Sequence, residues 1–257
     1  MSAQLHEGVA RSRRIFAEDG RSVTVALDHG LAGMDDLAGL RRPSQVIASV
    51  RHAGADCVLT TPGIAQTCAS AIGRMGLIVR LDGGAVTYFD QPEPMRQLGS
   101  VEDAVRWGAD GVALMGLMGT PDEAATLERI ARCAASCRQW GMVLLAEMLP
   151  GGFGATPTVA EVAVATRVAC ELGATAVKVP FCGTVEEFSS IVADAYQPVL
   201  VLGGGGGADV ATRLRGAMDA GAAGVAVGRD VWQSDDPART TRELVELVHG
   251  HPEHTDG

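Results

Sequence analysis

Lysine is almost missing from this sequence. Among its 257 residues and 21 Lys+Arg positions, Lys178 is the only lysine. Lysine is normally a common residue. An amine can lose its proton and attack a carbonyl, whereas a guanidinium stays charged and does not. Either coding bias replaced lysine by arginine and spared one by chance, or Lys178 performs chemistry that arginine cannot.

Other features are scarce as well. Phe, Tyr and Trp make up 4% of the chain, so we expect a core of Ala, Val, Leu and Gly. The formal net charge is −10, and the sequence has no run rich in Lys and Arg. Both features argue against nucleic acid as a partner. No apolar run approaches the length of a membrane span, and the N-terminus lacks an apolar signal region. We therefore expect no membrane association and a cytoplasmic location.

The cysteines do not form a metal-binding pattern. Cys133 and Cys137 lie four positions apart on a predicted helix, but no Cys or His pair with zinc-ligand spacing completes a site. We expect helix packing for this pair, reduced thiols and no bound metal or cofactor.

A weak internal repeat is the strongest indication of fold. Four segments pair a small-residue turn with a short apolar strand, starting at Gly54, Gly108, Gly173 and Gly221. Four further apolar runs fall between them: Val23 to Leu27, Leu77 to Leu81, Met142 to Met148 and Pro198 to Leu202. Helical patterning separates many of these eight strands, which is typical of a parallel sheet. The sequence predicts an α/β fold, a single (β/α)8 TIM barrel over residues 1–257 with a short tail from about 251.

Active sites of such barrels lie at the carboxyl ends of the strands. Polar residues and glycines concentrate at that rim here. Asp28 and His29 follow the first predicted strand, Asp82 the third, and Glu147 lies near the end of the fifth. Asp28 is a candidate acid/base group or a turn cap, His29 contacts a substrate or fills the rim, and Asp82 has the same ambiguity.

The last two strands end in a candidate anion site. Five consecutive glycines, beginning with Gly203, Gly204 and Gly205, follow the seventh strand and precede a helix. Their backbone N–H groups could approach an anion closely. Gly228 and Arg229 end the eighth strand, and Arg229 could bind phosphate through two hydrogen bonds. The glycines match neither a nucleotide P-loop nor a Rossmann fingerprint.

Lys178 lies on the sixth predicted strand, between Val177 and Val179. Burial there would disfavour the charged amine and leave it free to form a Schiff base with a ketone. Such an adduct withdraws electrons and allows an adjacent carbon–carbon bond to be made or broken.

Four motifs in order carry a family resemblance. They are Leu27-Asp28-His29-Gly30, Val177-Lys178-Val179-Pro180, the glycines after the seventh strand, and the segment from Gly224 to Gln233. From about Val23 to Val248 the chain resembles the archaeal-type class I fructose-bisphosphate aldolases. The wider group includes the 2-amino-3,7-dideoxy-threo-hept-6-ulosonate synthases and the thiolase of autoinducer-2 breakdown. The resemblance implies Lys178 as the Schiff-base lysine, Asp28 as an acid/base residue, phosphate held by Gly203, Gly204, Gly228 and Arg229, and a homo-oligomer.

One position departs from that family. The aldolases and heptulosonate synthases typically carry Tyr-Pro-Arg-Gly after the fifth strand, with the tyrosine as proton donor, whereas this chain has Leu149-Pro150-Gly151-Gly152. Leucine cannot transfer a proton. Glu147, two positions earlier on the same face of the strand, either supplies the missing acid/base function or only orients Lys178.

These observations lead to a functional hypothesis. We expect a metal-independent class I aldolase-type lyase or synthase that acts on a small phosphorylated ketose or its fragments and is specialised rather than glycolytic. The alternatives are thiolase-like acyl transfer on a phosphorylated diketone and a non-catalytic barrel that binds a phosphorylated metabolite.

Overall fold

Eight parallel strands close into a barrel, each hydrogen-bonded to its neighbours in chain order. The computed structural model describes residues 9–31, 34, 36–84, 94–203 and 210–250. The strands are β1 Ser22–Ala26, β2 Cys57–Thr60, β3 Gly76–Arg80, β4 Gly111–Gly116, β5 Val143–Met148, β6 Ala176–Val179, β7 Val199–Leu202 and β8 Gly224–Val227. Pairing of β1 with β8 closes the ring, so the predicted (β/α)8 barrel is confirmed.

Helices cover the outside of the barrel. They are α1 Pro43–His52, α2 Pro62–Thr67, α3 Ala69–Ile72, α4 Val101–Arg106, α5 Glu123–Trp140, α6 Val159–Glu171, α7 Val185–Asp194, α8 Val210–Asp219, α9 Arg229–Trp232 and α10 Pro237–His249. Ser100, Thr158 and Thr184 begin α4, α6 and α7 with capping boxes, in which the hydroxyl accepts a backbone N–H from the third helical residue. Within the described residues, no helix has both the length and the apolarity to cross a bilayer.

Successive side chains of each strand point to opposite faces, so the buried hydrophobic residues form two clusters. Residues such as Val25, Val79 and Val177 face the surrounding helices in the main cluster. Small and aliphatic residues such as Ala26, Ile78, Leu145 and Ala176 belong to a second cluster, which fills the barrel interior. This two-residue period determines which side chains at the strand ends point into the barrel.

The repeated turns have a structural role at the amino-terminal end of the barrel. Asp56, just before β2, accepts the Val23 N–H at 2.7 Å, and Asp110, just before β4, accepts the Leu77 N–H at 3.1 Å. Thr175, just before β6, accepts the Leu144 N–H at 2.8 Å. Each of these three turns thus ties an even-numbered strand to the start of the odd-numbered strand beside it.

Some elements were not predicted. The chain after β2 forms α2 and α3, and α10 follows the last strand. Asp82–Gly83 pairs antiparallel with Arg96–Gln97 in a small separate sheet. The tail predicted from residue 251, like Gly204 and Gly205, lies outside the described residues.

Candidate active site

Lys178 projects into the barrel at its carboxyl-terminal rim and pairs with Glu147. The two residues are register partners on β6 and β5, and Lys178 Nζ lies 2.7 Å from Glu147 Oε1. Only 5% of Lys178 and 7% of Glu147 are exposed. The carboxylate therefore compensates the charge of a buried ammonium, as a buried ion pair requires.

Arg80, near the end of β3, joins this pair to further carboxylates. Its Nε donates to Asp28 Oδ2 at 2.8 Å and its Nη1 to Asp82 Oδ1 at 3.3 Å. Its Nη2 donates to Glu147 Oε2. Burial opposes the charge, but the three carboxylates outweigh it and raise the arginine pKa further.

The position of this cluster follows from the strand period. Asp28, Arg80, Glu147 and Lys178 each lie two residues beyond an interior side chain, namely Ala26, Ile78, Leu145 and Ala176. Asp28 follows β1, Arg80 ends β3 and Glu147 lies one residue before the end of β5, all odd-numbered strands. Alternate strands of a (β/α)8 barrel contribute side chains to the same interior layer, which explains how these three groups meet. Lys178 on β6 joins them as the register partner of Glu147.

Glu147 is ionised in this setting. Burial raises its pKa, but the charges of Lys178 and then Arg80, with hydrogen bonds from both, outweigh burial and hold the pKa well below its usual range. A carboxylate in this state accepts a proton and does not donate one. Glu147 could act as an acid only after it has first taken up a proton.

Asp28 and His29 lie beside each other at the end of β1. His29 Nδ1 is 3.8 Å from Asp28 Oδ1, and the His29 ring meets Trp232 edge-on at 5.2 Å between centroids. Burial lowers the pKa of His29 even though Asp28 opposes the shift. His29 is therefore a neutral side chain that could donate or accept a hydrogen bond.

Asp82 is more deeply enclosed and is fixed by its neighbours. Its Oδ2 accepts the Met115 N–H at 2.7 Å, while Oδ1 faces Arg80. Burial raises its pKa against the opposing charge of Arg80. Its partners account for both oxygens, which favours a structural role.

The described part of the predicted phosphate site lies at the ends of β7 and β8. Gly203 follows β7 directly, Gly228 follows β8, and Arg229 is exposed at the start of α9. A Cβ added at Gly228 would overlap the His29 ring and the Ala26 carbonyl oxygen. One at Gly203 would lie 2.7 Å from Asp230 Oδ2, so a carboxylate also borders this region.

Leu149 follows β5 in the position where the resemblance implies a tyrosine. It packs against the apolar cluster of Met95, Met115 and Leu117. Met115 is the register partner of Glu147 on β4. The rim next to Glu147 is therefore apolar on this side and has no proton donor at residue 149.

Arg80 is the residue that sequence reasoning missed. It interrupts the apolar run Leu77-Ile78-Val79-Arg80-Leu81 just as Lys178 interrupts its own strand. A charged residue inside an apolar strand is itself a sign of a buried functional or paired charge, and this pattern in the sequence points to Arg80.

Comparison with known proteins identifies the family. The family model described as DeoC/LacD family aldolase matches residues 22–234, nearly the entire barrel. The chain belongs to the DeoC/LacD aldolase family. It is an enzyme of the class I aldolase type.

Two curated relatives illustrate the range within this family. The 2-amino-3,7-dideoxy-D-threo-hept-6-ulosonate synthase of Halobacterium salinarum is 37% identical over 93% of this chain and 91% of its own. The class 1 fructose-bisphosphate aldolase of Thermoproteus tenax is 36% identical over 92% of this chain and 93% of its own. These nearly equal identities do not select a substrate.

A solved structure agrees with the fold. An archaeal fructose-1,6-bisphosphate aldolase, with its catalytic lysine covalently bound to the carbinolamine intermediate of the substrate, superimposes with a TM-score of 0.84. It shares 32% sequence identity, and the match covers 93% of this chain and 98% of that chain.

Proposed function

We propose that this DeoC/LacD family aldolase makes or breaks a carbon–carbon bond through a Schiff base between Lys178 and a small phosphorylated ketone. The observation that carries the proposal is the buried Lys178–Glu147 pair at the rim, with Nζ and Oε1 2.7 Å apart. Class I chemistry needs a lysine amine at a site where substrate can enter, with a neighbouring group to manage its proton. The rim position and the pairing meet both needs.

Glu147 is suited to imine formation. The carboxylate takes a proton from the Lys178 ammonium, and the free amine attacks the ketone carbonyl to form a carbinolamine. Protonated Glu147 then returns the proton to the carbinolamine hydroxyl, which leaves as water while the nitrogen lone pair forms the iminium. The balance is one ammonium and one ketone giving one iminium and one water, with Glu147 again ionised.

Asp28 is the candidate for the carbon–carbon step. In cleavage, its carboxylate removes the proton from the substrate hydroxyl beyond the breaking bond, an aldehyde leaves, and the bonding electrons enter the iminium to form an enamine. Protonation of the enamine carbon and hydrolysis then release the ketone and the lysine. His29, neutral and adjacent, is a candidate for a hydrogen bond to the substrate.

Phosphate recognition is proposed at the ends of β7 and β8. Arg229 would provide a cationic, bidentate donor, and Gly203 and Gly228 leave space beside the backbone. Gly204 and Gly205 remain part of this proposal from the sequence alone. Phosphate held away from the reacting carbons would orient the ketone toward Lys178.

Leu149 favours a specialised substrate over fructose 1,6-bisphosphate. Among the residues that the structure describes, the side chains of this apolar cluster include no proton donor. Proton transfer is therefore assigned to Asp28 and Glu147.

Solvent deuterium exchange tests the reaction without knowledge of the aldehyde partner. Phosphorylated ketones, including dihydroxyacetone phosphate, are incubated in D2O with wild type and with Lys178→Arg, and deuterium at the carbon next to the carbonyl is followed by NMR. We expect incorporation into at least one ketone by wild type and none above background by the variant. Equal incorporation by both would overturn the proposal. A phosphorylated diketone with a thiol acceptor is included, because acyl transfer there would favour the thiolase-like alternative.

A further inference from the structure

We propose that Arg80 is a positioning residue for this reaction: it holds one oxygen of Asp28 and one of Glu147, so that the other oxygen of Glu147 faces Lys178 and the other oxygen of Asp28 lies beside His29. This inference rests on the proposed Schiff-base function. It concerns a side chain that would act through two others and would not itself touch the substrate.

The geometry of the hydrogen bonds carries the inference. Arg80 binds Oε2 of Glu147, and Lys178 binds Oε1 of the same carboxylate. Arg80 binds Oδ2 of Asp28, while Oδ1 faces the His29 ring. The guanidinium therefore fixes one oxygen of each carboxylate. The other oxygen faces Lys178 in Glu147 and His29 in Asp28.

A guanidinium is needed for this arrangement. Its planar fork presents donors in different directions, so one side chain reaches both carboxylates at once. Asp82 fixes the fork itself through Nη1, and the Met115 N–H fixes Asp82 from the other side. Arg80 is 2% exposed, which leaves it little freedom to leave these partners.

Charge gives Arg80 a second effect. Without it, Asp28, Asp82 and Glu147 would face Lys178 as the remaining cation of this cluster. The charged and titratable groups that face these carboxylates from the surrounding elements are Lys178 on β6, His29 after β1 and Arg129 on α5, and Arg229 on α9 faces His29 in turn. Removal of one positive charge makes protonation more favourable for every neighbouring group.

Two variants separate orientation from charge. Arg80→Lys keeps the charge but loses the fork, and Arg80→Met loses both. Arg132→Met, on the exposed face of α5, is a matched control for the change in net charge. The probe is dihydroxyacetone phosphate or whichever ketone wild type exchanges fastest, and the readout is the rate of borohydride-trapped Lys178 adduct between pH 5 and 9.

We expect Arg80→Lys to form the adduct at least about tenfold more slowly, because the carboxylates lose their alignment. We expect Arg80→Met to move the acid limb of the pH profile upward by about one unit or more, whichever group of the cluster sets that limb. Arg132→Met should match wild type in both respects. Thermal unfolding of each variant checks that the barrel is intact.

The results distinguish the positioning role of Arg80 from the proposed Schiff-base function. If wild type forms no Lys178 adduct with any ketone, the proposed function fails. If wild type forms the adduct and Arg80→Lys does so at the same rate, the positioning role is wrong. If Arg80→Met folds and keeps the wild-type pH limb, the charge effect is wrong; if it does not fold, the rate of Arg80→Lys alone decides.

Discussion

At the scale of single residues, the candidate active site is a balance of buried charge. Asp28, Asp82 and Glu147 oppose Arg80 and Lys178 within hydrogen-bonding range of one another. Such a cluster is stable only when each group keeps its partners, because an unpaired buried charge is strongly unfavourable. The same arrangement keeps Glu147 ionised before the reaction begins.

Replacement of Glu147 by Gln tests its role in proton transfer. The amide retains the shape of the side chain but cannot take a proton from Lys178, so we expect turnover to fall by about 100-fold. Borohydride should still trap an adduct on Lys178, because the amine remains in place, but the adduct should form more slowly than in wild type, because imine formation loses its proton acceptor. The measurement is steady-state turnover beside adduct mass, with Glu128→Gln on the exposed face of α5 as the control. Unchanged turnover would return Glu147 to an orienting role.

The sequence predicted Lys178 as the only lysine, Asp28 from its place at the end of a strand, and Glu147 from its place two residues before Leu149. It did not predict that Arg80 connects them. Such a contact depends on which side chains meet across the barrel interior, and this follows from strand register and tilt, not from spacing along the chain.

At the scale of elements, each strand carries different roles at its two ends. The carboxyl ends present the charged cluster, and the amino ends are tied by Asp56, Asp110 and Thr175 to neighbouring strands. The repeat therefore predicted four of the eight strands, since every turn precedes one, and the apolar runs between the turns predicted the other four. It could not predict α2, α3 or the small sheet at Asp82–Gly83, which break the regular alternation.

Asp110→Ala tests the structural role of the turns. The change leaves the buried Leu77 N–H without its side-chain acceptor and removes the ion pair with Arg14. We expect the free energy of unfolding to fall by about 1–3 kcal/mol in denaturant titrations. Asp194→Ala, at the exposed end of α7, should have little effect. Equal stability of the two variants would show that the turn does not support the barrel.

Gly228→Ala tests the rim at the end of β8. The added methyl group would overlap the His29 ring and the Ala26 carbonyl oxygen, so the rim must shift. We expect the KM of the phosphorylated ketone to rise about tenfold or more, because the phosphate contacts and His29 are displaced together. Gly63→Ala is the matched control, since a Cβ there meets no atom within 4 Å. An unchanged KM in Gly228→Ala would argue against phosphate binding at this rim.

At the scale of the whole molecule, the last helix is fastened to the amino-terminal end of the barrel by His249. Its Nδ1 lies 2.7 Å from Asp19 Oδ2, and its Nε2 lies 3.0 Å from Asp56 Oδ2. The hydrogen bond to Asp56, and then that to Asp19, raise the pKa of His249 to about 9 against the effect of burial. This contact links residues that are far apart in the sequence, so no local pattern could have predicted it.

The raised pKa predicts a pH dependence of stability. A histidine whose pKa is higher in the folded than in the unfolded chain stabilises the fold fully below about pH 6.5, and this contribution is lost as pH rises through about 9. We expect the unfolding free energies of wild type and His249→Gln to differ most near pH 6 and to converge by about pH 10. A difference that is constant over this range would exclude the charged form of His249 as the cause.

The central claim is that Lys178 forms the Schiff base. The most direct test is borohydride reduction in the presence of phosphorylated ketones, followed by peptide mass spectrometry. Lys178 is the only lysine, so the N-terminal amine is the sole competing primary amine of the chain. We predict a reduced adduct on the peptide that contains Lys178, and none on that peptide in Lys178→Arg. Absence of any Lys178 adduct with every ketone, together with full activity of Lys178→Arg on the eventual substrate, would contradict the account.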